Sequence, residues 1–247
     1  MKMQRLYSLV RQAVDDYQMI QDGDKIAIGI SGGKDSLTLL YALAGLRSFY
    51  PASFELSAIT VDLGLQTQDF KQIKALCDTL EVPYYVVKTE IGSIVFEQRK
   101  ETNPCALCSK MRKGALNQKI LDMGYHKVAY AHHMDDAVET LMLSMFYEGR
   151  LHSFEPVTKL EKTQITLIRP LTYVHESDVK GFVHKYNLPV MKSSCPVDGF
   201  TKRESMHQLL QQINKENPGI KNRIFHAMQT DLDVWKIPLD DKGLPNQ

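Results

Sequence analysis

No run of about 18 apolar residues occurs in this 247-residue chain, so no segment is expected to cross a membrane. Cysteine is scarce: four residues are too few for a disulfide scaffold. They are expected to be reduced thiols in a cytoplasmic protein. No charge of one sign dominates, since 30 Lys and Arg face 29 Asp and Glu for a net charge of +1. A polycation reading nucleic acid through bulk charge is excluded; a local basic patch is not. Internal repeats, low-complexity segments and RRM or KH signatures are absent. The first 18 residues, MKMQRLYSLVRQAVDDYQ, lack a continuous apolar centre and carry Asp15 and Asp16, so no signal peptide is expected. What remains is ordinary globular composition, 43% hydrophobic and 24% charged, at a length suited to one large domain.

Within that composition, short apolar runs alternate with segments of helical period. Residues 3–19 place Leu6, Leu9, Val10, Ala13, Val14 and Tyr17 on one helical face. Strands are expected over 25–30, 54–61, 83–87, 127–130 and 164–168. Helices are expected over 36–49, 69–80, 105–123, 135–147 and 176–186, with two more in 203–229 split at Asn217-Pro218-Gly219. Residues 89–104 and 189–201 read as irregular, and the tail from Ile237 as frayed. The pattern predicts an α/β fold: a doubly wound parallel five-stranded sheet with C-terminal helices. The expected division is an N-terminal helix (1–20), the sheet domain carrying the C-x-x-C (21–173), a C-terminal helical region with the late cysteine (174–235) and a flexible tail (236–247). Ligands of such sheets bind beyond the carboxyl ends of the strands, which directs attention to the loops after Ile30, Val61 and Tyr130.

The first of these loops is Ser31-Gly32-Gly33-Lys34-Asp35-Ser36. Two glycines let backbone N–H groups converge where a side chain would block a phosphate. The following helix adds its N-terminal N–H groups, Lys34 a cation, and Ser31 and Ser36 hydroxyl donors. Asp35 is out of place in a simple anion pocket unless a Mg²⁺ is bound beside it. A Walker loop is not present, because Ile28 stands where its first glycine belongs. The plain alternative is a glycine turn with a Ser/Asp helix cap. S-G-G-K-D-S resembles the pyrophosphatase-loop signature of the adenine-nucleotide alpha-hydrolase-like ATPases. That resemblance implies cleavage of ATP, as a co-substrate, into AMP and pyrophosphate to adenylate a substrate.

Ala131-His132-His133-Met134-Asp135-Asp136 follows the fourth expected strand. Two aspartates at a helix start can be caps alone. The functional reading is that Asp135 or Asp136 faces the nucleotide and positions Mg²⁺ or the adenylated oxygen. Adjacent histidines rarely share one ion, so a zinc site is not expected.

Cys105-Ala-Leu-Cys108 opens a helix, where N-terminal N–H groups favour thiolates. Arg99, Lys100, Lys110, Arg112 and Lys113 lie around it against Glu101, a setting for thiolates, phosphates or RNA. Cys77 sits in an amphipathic helix and reads as a buried inert thiol. Cys195 sits in a polar loop. Three thiolates can hold a [4Fe–4S] cluster with one iron open to another ligand.

The order S-G-G-K-D-S, C-A-L-C-S-K-M-R-K-G-A-L, A-H-H-M-D-D, I-R-P-L, a late cysteine and P-G-I-K-N-R-I-F-H-A-M-Q resembles the bacterial tRNA 2-thiocytidine synthetases over about residues 5–235. The resemblance implies cluster ligation by Cys105, Cys108 and Cys195, and thiolation of an anticodon-loop cytidine at tRNA position 32. It further implies catalytic roles for Lys34, Asp35 and Asp136, and nucleotide contacts from Ser31, Gly32, Gly33, Ser36, Asp62, Ala131 and Asp135. A sulfur donor such as a cysteine desulfurase, a tRNA substrate and a possible homodimer are the expected partners. Two departures stand out. Asp198 occupies the second position of a late C-x-x-C that many relatives carry, and Ala131 replaces a frequent glycine.

The chemistry is coherent on its own terms. AMP transferred to the C2 oxygen of cytosine turns a poor leaving group into a good one, and a sulfur nucleophile then displaces it. Candidate RNA phosphate contacts are Lys110, Arg112, Lys113, Lys180, Lys185, Lys192, Lys202, Arg203, Lys221 and Arg223. Residues 180–226 carry eight Lys and Arg against three acids. Two alternatives stay open. One is a cluster-free enzyme with a persulfide on Cys105 or Cys108 resolved by Cys195. The other is an ATP-binding regulatory module with a structural metal.

Overall fold

Strand β1 (Asp24–Gly29) is buried through Ile26, Ala27 and Ile28. A strand covered on both faces needs apolar side chains in succession, and this run supplies them. Ile26 and Ile28 enter the larger hydrophobic cluster on one face of the sheet, and Ala27 a smaller one on the other. The structure, a computed structural model, describes residues 1–65, 68–99, 104–192, 195, 202–232 and 235.

Helix α1 (Met3–Asp16) precedes β1, and α2 (Lys34–Leu46) follows it. Then come β2 (Phe54–Asp62), α3 (Lys71–Thr79), β3 (Tyr84–Lys88) and a short helical turn α4 (Ile91–Ser93) that continues as a π turn over Ile94–Gln98. Helix α5 (Pro104–Asp122) leads to β4 (Lys127–Ala129) and α6 (Met134–Glu148). The hairpin of β5 (Val157–Leu160) and β6 (Ile165–Ile168) is followed by α7 (Glu176–Tyr186), α8 (Lys202–Glu216) and α9 (Ile220–Asp231).

The strand order is β3-β2-β1-β4-β6-β5, and each neighbouring pair is parallel except β5 with β6. Ile28 pairs with Ala58 of β2 on one side and Ala129 of β4 on the other. The chain winds outward in opposite directions from β1 and β4, so a crevice opens between their carboxyl ends. Helix α5 covers one face with Leu116 and Ile120. Helices α1, α2, α6, α7 and α9 cover the other, with Leu6, Leu40, Val138, Phe182 and Phe225 in one continuous cluster.

Among the described residues six strands are present where five were expected. The extra one, V-T-K-L of β5, is only half-buried and pairs antiparallel at the sheet edge. Its hairpin turn is polar and passes through Gln164 at φ 55°, so four residues of weak alternation read as loop. Residues 91–98, expected to be irregular, are helical, with Ile91 and Val95 buried. Gly92 disguises the segment and is needed there. A Cβ would stand 2.6 Å from the Leu65 side chain and 2.8 Å from the Leu63 carbonyl oxygen. Lys100, Glu101, Asp198 and the tail from Ile237 lie outside the described residues. Among the described residues no helix is long and apolar enough to cross a membrane.

Candidate active site

The turn from β1 into α2 is built by hydrogen bonds within the loop itself. The Ser36 hydroxyl accepts the Ser31 amide at 3.2 Å and donates to the Gly33 carbonyl at 2.9 Å. The Ser31 hydroxyl accepts the Gly33 amide at 3.2 Å. Gly32 takes φ +81°, and a Cβ there would meet Met191 at 3.1–3.3 Å. The Met191 amide donates to the Gly32 carbonyl at 2.9 Å, which ties the loop to the segment leading to Cys195.

Lys34 opens α2 between two carboxylates, Asp35 at 3.0 Å and Glu176 at 3.3 Å. Burial alone would lower its pKa; the two carboxylates outweigh that and raise it. Lys34 is therefore a fixed cation at the helix start. Asp35 Oδ1 is buried without a hydrogen-bond partner. A carboxylate oxygen left this way at a phosphate-type loop suits a hydrated Mg²⁺.

A crevice of about 320 Å³ lies beyond the strands, lined by Ser31, Asp35, Ser36, Ala131, His132 and Asp136 among others. From α5, Ser109, Arg112 and Lys113 reach its other wall. A second cavity of about 200 Å³ is lined by Ser31, Gly33, Arg112, Lys192 and Cys195. The loop and Arg112 border both.

Around the α6 start, successive residues take different directions. His133 caps the helix: its Nδ1 accepts the Asp136 amide at 3.3 Å, while Asp136 Oδ2 accepts the His133 amide at 2.9 Å. The His133 proton then sits on Nε2, 3.6 Å from Asp35 Oδ1. Asp136 lines the crevice. Asp135 does not: it is 4% exposed, bonded to Lys221 Nζ at 2.7 Å and the Glu176 amide at 2.8 Å, and 3.7 Å from His175. Burial would raise its pKa, but the proximity of His175 and the bonds from Lys221 and the Glu176 amide hold it far below the usual carboxylate range. Of the two aspartates, Asp136 is the one at the crevice. Asp62, at the end of β2, accepts the Gly64 amide at 3.0 Å and closes a turn.

Cys105 is exposed, Cys108 buried and Cys195 half-buried; Cys77 is fully buried in the core. Burial pushes the Cys108 thiol up, Arg112 pulls it down, and Cys195 and Cys105 are both close enough to act on it. Both other thiols thus lie within electrostatic range of Cys108. Among the described residues no three ligating side chains converge tightly enough for a single metal ion. A cubane cluster spreads its thiolates more widely than one ion does, so a soft three-thiol donor set fits a cluster better than zinc.

Several expected RNA contacts have protein partners. Lys221 is held by Asp135, Lys180 by Glu176 at 2.9 Å, and Lys202 lies 4.6 Å from the Tyr147 ring centre. Lys113 and Arg112 face the crevice. Arg203 approaches Asp136 at 3.6 Å and Glu139 at 3.7 Å, and His207 bonds Glu139 at 2.6 Å, so α8 is tied to α6. Sequence reasoning missed Glu176, which meets Lys34, and Arg169, which bonds His132. Glu176 looked like an ordinary first-turn acid, and only I-R-P-L hinted at Arg169.

A family model of the PP-loop domain matches residues 3–212. The tRNA-cytidine(32) 2-sulfurtransferase of Geobacter sulfurreducens is 36% identical over 227 residues, covering 91% of this chain and 88% of the relative. The protein of that name from Citrifermentans bemidjiense is 33% identical over 243 residues, covering 97% and 94%. The fold is shared with the U34-tRNA thiolase NcsA from Methanococcus maripaludis, a structure containing a [4Fe-4S] cluster. That match has a TM-score of 0.74 at 23% identity and covers 91% of this chain and 76% of the other. The chain belongs to the PP-loop family and, within it, to the tRNA-cytidine(32) 2-sulfurtransferases.

Proposed function

We propose that the protein thiolates cytidine 32 of tRNA at the expense of ATP, in the cytoplasm. The reading is supported above all by one observation: Cys195 and the phosphate-type loop line a single cavity. A base seated there would meet both an activated phosphate and a thiol group.

The backbone N–H groups of the Ser31–Ser36 loop and Lys34 bind the phosphates and take up charge on the departing pyrophosphate. Asp35 and Asp136 face the same crevice and would hold a Mg²⁺, which would supply charge neutralisation at the phosphates. The C2 oxygen of cytosine attacks the α-phosphorus, the bond to pyrophosphate breaks, and the base carries AMP. Sulfur then adds at C2 and AMP leaves with the former carbonyl oxygen. Cys105, Cys108 and Cys195 would hold a [4Fe–4S] cluster, which when bound supplies an iron open to a sulfur ligand. Arg112 borders both cavities and balances negative charge on either side. Sulfur comes from outside the chain, with a cysteine desulfurase as the donor class. Lys113 and Arg112 stand where RNA phosphates would approach.

The test uses protein purified without oxygen. Wild type should bind iron and acid-labile sulfide, and should form AMP and thiolated tRNA together. Cys195→Ser should lose most iron and all thiolation yet keep ATP binding, while Lys34→Ala should keep iron and lose AMP formation. Full thiolation by an iron-free wild type, with a Cys195 disulfide after turnover, would replace this reading with the persulfide one.

A further inference from the structure

His132 lines the crevice but is anchored from behind by a residue outside it. Arg169, at the end of β6, is 7% exposed, and its Nε donates to His132 Nδ1 at 3.2 Å. The same guanidinium donates to Thr158 Oγ1 at 3.0 Å and to the Glu155 carbonyl, and lies 4.7 Å from the centre of the Phe154 ring. Phe154 in turn lies 4.9 Å from the His132 ring, centre to centre, with Tyr130 edge-on at 5.9 Å. Ring position and rotation are therefore both set.

An arginine only donates. With Arg169 pointing at Nδ1, that nitrogen must be the acceptor, so the ring hydrogen sits on Nε2 and the imidazole stays neutral. Among the described residues no protein group takes the Nε2 hydrogen. The groups facing the ring are Arg169, Lys113 of α5, Arg203 of α8 and His133, with Asp35 and Asp136 lining the same crevice. Burial first, and then the cations Arg169, Arg203 and Lys113, push the ring down to about 3, in agreement with the hydrogen-bond pattern.

Building on the adenylation reading above, we propose that His132 is a neutral Nε2–H donor to the phosphoryl group in transfer, with Arg169 the positioning residue that fixes its tautomer. The loop Ser31–Ser36 takes the pyrophosphate end, and His132 lines the same crevice, so the α-phosphoryl oxygens are assigned to its side. No proton is transferred: the oxygen–phosphorus bond to the base forms, the bond to pyrophosphate breaks, and Nε2 keeps its hydrogen. A neutral donor stabilises the phosphoryl oxygens at every working pH, whereas a titrating imidazole would do so unevenly.

Two measurements test this. Ring ¹⁵N NMR of the free wild-type protein should show His132 as the Nε2–H tautomer, without titration between pH 5 and about 8. This readout needs no substrate and survives even if the thiolation reading fails. In tRNA-dependent pyrophosphate release, His132→Phe should lower kcat by roughly 100-fold with little change in KM for ATP. His132→Gln, which keeps an amide donor near the Nε2 position, should recover part of it. Arg169→Met should lower kcat and add a pH limb near the ordinary histidine value of about 6.5. If Arg169→Met does not fold, the wild-type NMR result still decides. A titrating or Nδ1–H ring in the wild type, or full kcat in folded His132→Phe, would overturn the proposal.

Discussion

Replacing Asp135 by alanine separates a structural aspartate from a functional one. Asp135 Oδ1 meets Lys221 Nζ of α9 at 2.7 Å, and Oδ2 takes the first amide of α7 at 2.8 Å. One carboxylate thus joins α6, α7 and α9. The Lys221 side chain is 13% exposed, so removal of its partner strands a nearly buried ammonium. Breaking a buried pair this way costs about 3–5 kcal/mol, and the slight exposure of Lys221 favours about 3. At roughly 2–4 °C per kcal/mol for a chain of this size, Tm should fall by about 6–12 °C. The double variant Asp135→Ala with Lys221→Met should recover much of that loss, because no stranded charge remains. Acid sensitivity gives a second readout. The Asp135 carboxyl is held below its unfolded value, so it stabilises the fold above the ordinary carboxylate range. That contribution disappears as pH falls through the depressed folded value. Wild type and Asp135→Ala should therefore converge in stability at low pH. Differential scanning calorimetry and pyrophosphate release, both run below the variant's Tm, provide the assay. A variant with unchanged Tm and no pyrophosphate release would place Asp135 at the nucleotide and refute the structural role.

Two further outcomes follow from charge and burial. Charge reversal at Lys110, Arg112 and Lys113 should weaken tRNA binding and flatten its salt dependence, by about 0.7–0.9 in log–log slope for each phosphate no longer neutralised; an unchanged slope would assign the cluster to ATP or the thiols. Alkylation at pH 8, read by peptide mass spectrometry, should modify exposed Cys105 first and Cys77 last, because burial pushes the Cys77 thiol up to about 11 and leaves about a thousandth of it as thiolate.

Local order in the sequence carries the central sheet and the phosphate-type loop. Ile26-Ala27-Ile28 is apolar without interruption, and S-G-G-K-D-S sits between a strand and a helix, so both could be read from a few neighbouring residues. What eluded reading depends on partners far along the chain. Strand β5 is stabilised by its ladder with β6 and not by its own alternation. The helical turn at residues 91–98 packs so close to Leu63 and Leu65 that only glycine fits at position 92, a contact across some 28 positions. Glu176 gains its meaning from Lys34, more than 140 residues earlier, and Arg169 from His132.

The string H-H-M-D-D shows why a motif is harder to assign residue by residue than to recognise. It spans the change from strand to helix, where the backbone rotates each side chain onto a new bearing. His132 is still in the loop beyond β4, so it faces the crevice and Arg169. His133 adopts the extended cap conformation, φ −106° and ψ 178°, which turns Nδ1 back onto the helix start. Met134 enters the core. Asp135, one step further around the helix, meets α7 and α9, and Asp136 at the third helical position returns to the cap and the crevice. Adjacent aspartates about 100° apart on a helix cannot both face one nucleotide unless the site wraps around the helix end. Here a lysine 86 positions away fills one of the two directions. The same geometry explains the adjacent histidines. Each Nδ1 accepts from a different donor, Arg169 or the Asp136 amide, so both rings carry hydrogen on Nε2 while being held from different directions. A pair that resembles a metal site in one dimension is, in three, a pair of rings whose Nδ1 atoms are already occupied by different donors.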